Sequence, residues 1–385
     1  MKPIKVLQVF TILNRGGAET NIMNYYRNID RSSIQFDFLV HREEAGAYEK
    51  EIMELGGKIY RLPPVHPLHL QKYKATVKKF FDRHADYQII HGQNSELGVF
   101  IYEEAKRRGI SVIIAHAHNA PRLKDYDAKF IFRELWKYRM RKSVNSFFTC
   151  GEDAAKWLFG KKLAQNAFLM TNAVDTGKFR FSPEVRVEVR KRLSKEDTKN
   201  IIHVGRFNRQ KNHGFLLQIF AALIQRDAAY HLFLVGGGEL QQDIEEQIHQ
   251  LNLQAYVTLM GIRKDVNELI QAMDVFLLPS LFEGLPVSLV EAQASGIHCV
   301  ISDGIPEEAV LVPENVTVIS MKENAEIWAE RILALDLSDR KDVSEIIIRK
   351  GYDIKENAKK LENKYIELLK GASARTPGNL PVIPK

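Results

Sequence analysis

Val275-Phe276-Leu277-Leu278-Pro279-Ser280-Leu281-Phe282-Glu283-Gly284-Leu285-Pro286-Val287-Ser288-Leu289-Val290-Glu291-Ala292-Gln293-Ala294-Ser295-Gly296 is the stretch that decides the fold. Val275 to Leu278 is apolar without alternation, the pattern of a parallel strand covered on both faces. Pro279-Ser280 ends it. Pro286 suits the first turn of a helix, where its missing N–H would be unpaired anyway. The spacing therefore predicts Glu283 in a strand-to-helix loop and Glu291 in the opening turns of the helix. Both then project into the crevice at the carboxyl ends of a parallel sheet, where open α/β folds bind ligands. Carboxylates placed there accept hydrogen bonds from a polyol, and Gly284 lets backbone N–H groups approach it closely. Two Glu at this spacing also occur as plain solvated helix charge; the surrounding EGLPVSLVEAQASG string is what favours a site.

On either side of this stretch, strand-like runs alternate with helical ones, as in doubly wound parallel sheets. The first half shows Lys5–Phe10, Phe36–Val40, Gln88–His91, Ser111–His116 and Ser146–Thr149. The second shows Asn200–Val204, His231–Val235, Val257–Leu259, Val275–Leu278 and His298–Ile301. The expected fold class is α/β with two Rossmann-like domains, residues 1–171 and 172–352, their boundary near Thr171–Asp175. Arg186 to Lys199 reads as a charged helical connector. A last long helix spans about 353–370. Residues 371–385, with three prolines and no periodicity, read as a disordered tail.

The chain has 385 residues, 45% of them hydrophobic, which suits two domains of ordinary size. No apolar run approaches the roughly 18 residues of a membrane span. Met1 to Phe10 reads as a first strand, not a signal peptide. Two cysteines, Cys150 and Cys299, lie far apart without metal spacing, and a reduced, cytoplasmic protein is expected. Residues 1–171 hold 28 Lys and Arg against 18 Asp and Glu, while residues 172–385 hold 27 against 30. That basic first half implies either an anionic partner, such as a membrane surface or polyphosphate, or simply solubility. The excess is densest from Arg122 to Lys142, where basic residues interleave with Phe130, Ile131, Phe132, Leu135, Trp136, Tyr138 and Met140. Such a helix either lies on an anionic bilayer or buries its aromatics in a core.

Several loops at strand ends carry residues suited to ligands. Gly205-Arg206-Phe207-Asn208-Arg209-Gln210-Lys211-Asn212 follows the strand Asn200–Val204. Taken alone, Arg206 and Lys211 there read as surface charges; beside an anionic ligand, fixed cations would stabilise its negative charge. Gly236-Gly237-Gly238-Glu239 follows His231–Val235, and is either a close-approach loop for a base or phosphate or a plain tight turn. Asn14-Arg15-Gly16-Gly17-Ala18-Glu19-Thr20 follows the first strand without forming the G-x-G-x-x-G of dinucleotide binders. His116-Ala117-His118-Asn119 ends Ser111–His116, and two-residue spacing puts His116 and His118 on one side. A neutral imidazole there can hydrogen-bond a ligand, and a lone His is otherwise a core or capping residue. Gly151-Glu152-Asp153 opens a helix in the manner of a capping sequence. No D-x-D pair stands near the Arg206–Lys211, Gly236–Glu239 or Glu283–Glu291 segments, and no clustered His or Cys ligands appear, so no metal site is expected.

Taken in order, these motifs resemble the retaining glycosyltransferases of the GT4 family, which have the GT-B fold of two Rossmann-like domains facing a central crevice. Glu283 and Glu291 match the family's E-x7-E signature, Gly205-Arg206 to Lys211 its G-R-x-x-x-x-K, Asn14 to Glu19 its N-x-G-G-A-E loop, and Asn172-Ala173-Val174-Asp175 with Phe179 its N-G-V-D-x-x-x-F. Ala173 replaces the usual Gly in the last. The resemblance covers roughly residues 4–370 and is closest to bacterial exopolysaccharide and capsule enzymes of the EpsF type.

That resemblance implies specific roles. Glu283, with Gly284 and Leu285, would hold the donor sugar, Glu291 the ribose, and Arg206 and Lys211 the diphosphate. Gly16 and Gly17 would pass near the phosphates. Gly237 and Gly238 would line the nucleotide site, and Arg263, in Gly261-Ile262-Arg263, would stack on the base. His118 would face the transferred sugar, with His116 behind it and Asn119 in place of a common Asp. His91 and Asn94 would line the acceptor side, although Gly92-Gln93 departs from a frequent H-x-H and leaves Gln93 without a role. The final helix would cross back onto the first domain. The implied reaction moves a hexose or N-acetylhexosamine from a nucleotide sugar, taken as UDP-linked, to a growing polyprenyl-diphosphate-linked glycan at the inner face of the membrane. No cofactor, metal or nucleic acid is expected. A GT-B nucleotide-sugar epimerase and a non-catalytic assembly subunit stand as alternatives.

Overall fold

In the computed structural model, which describes residues 2–118, 128–337 and 340–373, the run Val275–Leu278 is a strand buried on both faces. Val275 and Leu277 enter one apolar layer with Leu216, Phe220 and Trp328. Phe276 and Leu278 enter another with Ile270, Leu289 and Val290. Side chains alternate across a strand, so an unbroken apolar run is what a sheet with helices on both faces requires.

The chain divides into two compact units: Met1–Thr171 with the chain from Lys355 onward, and Asn172–Ile354. The first unit holds β1 (Ile4–Val9), β2 (Ile34–Val40), β3 (Ile59–Arg61), β4 (Ile89–Gly92), β5 (Val112–Ala117), β6 (Ser146–Thr149) and β7 (Phe168–Leu169). They form one parallel sheet in the order β3-β2-β1-β4-β5-β6-β7. The second unit holds β8 (Lys199–Val204), β9 (Tyr230–Val235), β10 (Val257–Gly261), β11 (Val275–Leu278), β12 (His298–Ser302) and β13 (Val316–Ile319). Their parallel order is β10-β9-β8-β11-β12-β13. Each sheet therefore reverses direction once, between β1 and β4 and between β8 and β11. Open sheets bind ligands at the carboxyl ends of the strands flanking such a reversal.

Three short strands, β3, β7 and β13, were not expected. All three are sheet edges, at most four residues long, and too short and mixed in polarity to show a period. The expected connector from Arg186 is instead part of the second unit's packing. Its helix, Pro183–Leu193, is capped by Ser182, whose hydroxyl accepts from Val185 N–H. Val189 is buried in the core, and Arg186 and Arg190 both pair with the buried Asp274. The last helix runs Ile354–Ser373, so residues 371–373 are helical and not tail. A glycine costs a helix only about 1 kcal/mol relative to alanine, too little to stop it at Gly371. Residues 374–385 lie outside the described residues.

That last helix packs on the first sheet. Tyr365 is fully buried among Phe36, His91 and Phe148, and Glu362 accepts from Asp30 N–H at 2.7 Å. Near the boundary the two passing segments are zipped together. Val174 bridges Asp353, and Thr176 Oγ1 donates to Asp353 Oδ2 at 2.6 Å. Asp175 caps the short helix Thr176–Phe179.

Candidate active site

At the reversal of the second sheet, the loops after β8 and β11 are stitched together. Asn208 caps the turn Arg209–Lys211, accepting from Lys211 N–H. Gln210 accepts from Leu281 N–H through its backbone carbonyl at 2.9 Å. Its side-chain Nε2 donates to Phe282 O at 3.1 Å and to Glu283 Oε2 at 2.9 Å. Asn212, in the left-handed conformation, donates to Pro279 O at 3.2 Å. Lys211 Nζ and Ser280 Oγ both stand 2.8 Å from Glu283 Oε1. The Glu283 side chain is 7% exposed and that of Lys211 12%. The expected loop carboxylate is thus present, but it is held from three sides rather than standing free. Pro286 is the helix N-cap, one residue before the first turn, and Glu291 is the fifth residue of the helix Val287–Ala294, partly exposed. Gly284 is also partly exposed. Leu285 sends its side chain into the core, and its carbonyl accepts from Asn172 Nδ2.

The glycine loop after β9 serves first to pack loops against each other. A Cβ on Gly236, which sits at φ +147°, would fall 1.9 Å from Gly205 O, and one on Gly238 would fall 2.4 Å from Phe207 O. Gly237 is different: its nearest neighbour would be Ile262 Cγ1 at 3.5 Å. Phe207 N–H donates to Gly237 O, and Leu240 N–H to Phe207 O. Arg206 is exposed and meets the equally exposed Glu239 at 3.2 Å, a pairing that costs little to break. Arg263 forms a two-bond ion pair with Asp265 at 2.8 and 2.6 Å, which holds its guanidinium along its own loop. Behind Lys211 lie two buried histidines, His203 and His213, with rings 4.7 Å apart. Burial pushes the His213 imidazole down to about 4 and His203 well below the ordinary range.

In the first unit, Gly16 is the N-cap of the helix Gly17–Asn28. A Cβ on Gly16 would meet the Glu19 carboxylate at 2.3 Å, whereas around Gly17 the space is open. Arg15 lies over the Tyr48 ring, 5.2 Å from its centroid. His118 follows β5, and its Nε2 is 2.7 Å from Gln93 Oε1. Its ring stacks on His116 with centroids 4.1 Å apart, as the two-residue spacing implied. His116 and His91 have no exposed surface. His91 bonds Tyr365 OH at 2.7 Å and His116 Nδ1 at 3.2 Å, so it supports the site from beneath and does not line it. Asn94 is partly exposed, but its Oδ1 is buried without a partner. Asn119 lies outside the described residues. Burial lowers the His118 imidazole to about 4 and His91 to about 3, so both are neutral near pH 7.

Sequence reasoning missed the residues that hold these groups. Gln210 and Ser280 grip Glu283, and Gln93, Gln8 and Tyr365 stand behind His118. The one available signal was Gln8, a polar residue inside the apolar first strand. Tyr365 comes from a helix more than 240 positions beyond His118 and had none. Among the described residues, no group of three or more His, Cys, Asp or Glu is placed to hold a metal, and no helix is long and apolar enough to cross a membrane.

The model of the family described as glycosyl transferases group 1 matches residues 185–367, which carry both the Arg206–Lys211 loop and the Glu283–Glu291 segment. The putative glycosyltransferase EpsF of Bacillus subtilis (strain 168) is 35% identical over 372 residues, covering 94% of this chain and 96% of that one. The chain belongs to the group 1 glycosyltransferases. A further relative of this glycosyltransferase is the UDP-Gal:alpha-D-GlcNAc-diphosphoundecaprenol alpha-1,3-galactosyltransferase of Escherichia coli, 26% identical over 230 residues, covering 56% of this chain and 58% of the relative. Among solved structures, Anabaena Alr3699/HepE in complex with UDP and glucose superposes with a TM-score of 0.72 at 17% identity, covering 96% of this chain and 98% of that one. Its likeness establishes the GT-B fold of this glycosyltransferase.

Proposed function

We propose that this glycosyltransferase moves a hexose or N-acetylhexosamine, with retention, from a UDP-sugar to a lipid-linked glycan of a bacterial extracellular or capsular polysaccharide. The observation that carries the donor reading is the Lys211–Glu283 pair, 2.8 Å apart where β8 and β11 diverge. A diphosphate arriving there competes with Glu283 for Lys211, and Arg206 leaves Glu239 for it at little cost. Glu283 is then left with Ser280 and Gln210 and can turn its acceptor capacity to sugar hydroxyls. Glu291 takes the ribose. In the first unit, His118 is assigned the transferred sugar and the Gly16–Gly17 loop the phosphates.

The bond from the anomeric carbon to phosphate oxygen breaks, and the bond from that carbon to the acceptor oxygen forms on the same face. The departing phosphate takes the acceptor proton, so no side-chain base is needed. Negative charge grows on the phosphate as this happens, and removing one preorganised donor to such charge typically costs on the order of 10²–10³ in rate. The UDP choice draws on the relative named for UDP-Gal and the neighbour holding UDP and glucose. The lipid-linked acceptor draws on the diphosphoundecaprenol of the same relative's name, and the polysaccharide on the resemblance to EpsF. Contact with an anionic membrane is assigned to the helix Ala128–Ser143. It buries Trp136 and Met140 but leaves Phe132, Leu135 and Tyr138 about half exposed.

A thermal-shift panel with UDP, GDP, ADP, dTDP and NAD, each with and without EDTA, tests the donor. A ligand of the native state stabilises it by RT ln(1 + [L]/Kd). Stabilisation by UDP that survives EDTA is the expected result. Stabilisation by GDP alone would keep the chemistry and change the donor, and by NAD alone would overturn the reading.

A further inference from the structure

Five hydrogen bonds tie His118 to the interior of the first unit, and the three made by the Gln93 and Gln8 amides have a set direction. Gln93 Oε1 can only accept, so at 2.7 Å His118 Nε2 must carry the proton. The Gln93 amide is oriented by its Nε2, which donates to Gln8 Oε1 at 2.9 Å. Gln8 Nε2 in turn donates to Tyr365 OH at 3.3 Å. Tyr365 OH also bonds His91 Nδ1 at 2.7 Å, and His91 Nε2 bonds His116 Nδ1 at 3.2 Å. Gln8, His91, His116 and Tyr365 have no exposed surface, and Gln93 is 6% exposed. In such surroundings an unmatched donor or acceptor is expensive, so the Gln93 and Gln8 amides fix each other's orientation. The network joins β1, β4, β5 and the last helix, and it ends on the ring stacked against His118.

We infer that Gln93 is a positioning residue: it fixes the proton of His118 on Nε2, so that the neutral imidazole meets a sugar hydroxyl as an acceptor through Nδ1. This rests on the sugar-facing role proposed above for His118. The other titratable groups around the ring are His116 and His91 on the strands, Tyr365 on the last helix, and Cys150, whose thiol donates to His118 O at 3.0 Å. Among the described residues no carboxylate is in this group, and burial opposes the imidazolium.

Nitrogen NMR of the full chain, with the His118 signal assigned by its loss in His118→Ala, reads the tautomer directly. The wild-type protein is expected to show a neutral ring protonated on Nε2 from pH 8 down to about 5. Gln93→Glu places a carboxylate on Nε2 and should raise proton affinity at His118 at least tenfold. Turnover of the sugar nucleotide chosen by the panel should then fall as pH drops through the new midpoint, while the wild type stays flat. A proton on Nδ1 in the wild type, which needs no variant to observe, overturns the inference. So does an unchanged midpoint in a folded Gln93→Glu. Full turnover in His118→Ala would instead remove the sugar-facing role while leaving the tautomer result standing.

Discussion

Lys211 Nζ lies 2.8 Å from Glu283 Oε1, so the cation assigned to the diphosphate and the carboxylate assigned to the sugar are each other's partner. They come from the loops after β8 and β11, the two strands between which the second sheet reverses. Their side chains are almost buried, and Ser280 and Gln210 each donate one further hydrogen bond to the carboxylate. Such a pairing holds the Lys211 ammonium in one place, where the diphosphate proposed above would displace the carboxylate.

Removing one partner should therefore destabilise more than removing both. Glu283→Ala strands a buried ammonium and is expected to cost about 3–5 kcal/mol, whereas Lys211→Met with Glu283→Ala should recover much of it. Transfer should be lost in both. UDP should stabilise Glu283→Ala more than the wild type, because its phosphates replace the missing carboxylate. Urea unfolding with and without UDP checks this, and equal stability of single and double variants would contradict it.

The glycine loop separates two roles. Gly236→Ala forces a Cβ to within 1.9 Å of Gly205 O at a φ of +147°, and should lower stability by at least 1–3 kcal/mol, on the order of the strain such positions carry. Gly237→Ala meets nothing closer than 3.5 Å and should leave the melting temperature unchanged. If backbone approach at Gly237 serves the nucleotide, UDP affinity falls in that variant alone.

How legible this was depended on burial. Val275–Leu278 was read to the residue because a strand covered on both faces must be apolar throughout. The edge strands escaped because Ile59-Tyr60-Arg61 is half exposed and needs no pattern. Glu283 and Lys211 were singled out through motif context. Their mutual pairing was invisible, since 72 residues separate them and only the parallel register of β8 and β11 brings their loops together. For the aromatic helix, sequence left core and surface open, and the structure divides them: Trp136 and Met140 inward, Phe132, Leu135 and Tyr138 outward.

Acid should weaken the first unit. His91 and His118 have folded pKa values of about 3 and 4, and His116 lies well below the ordinary range. An unfolded histidine titrates near about 6.5. Because the folded values are depressed, protons favour the unfolded chain. Stability is complete above about pH 6.5 and falls as pH drops from there toward about 4, by roughly 1.4 kcal/mol per pH unit for each histidine. Hydrogen exchange in β4 and β5 should accelerate over that window, and His118→Gln should flatten the dependence. An unchanged slope in that variant would show that His118 does not contribute.

Membrane contact through Ala128–Ser143 should be more apolar than electrostatic. The helix is rich in basic residues, yet Arg133 pairs with Glu96 at 2.8 Å and Arg139 with Glu103 at 2.7 Å. Those charges are already compensated. Phe132, Leu135 and Tyr138 follow at three-residue steps and share one face, with 55%, 50% and 53% of their surface exposed. Each half-exposed side chain inserted into lipid gains on the order of 1 kcal/mol. Co-sedimentation with vesicles should therefore persist as salt rises from 50 to about 500 mM, where a Debye length near 3–4 Å would silence a purely ionic contact. Phe132→Ser with Leu135→Ser should abolish it without changing UDP binding. Binding that disappears with salt, and is indifferent to those two substitutions, would assign the contact to charge elsewhere on the basic first half.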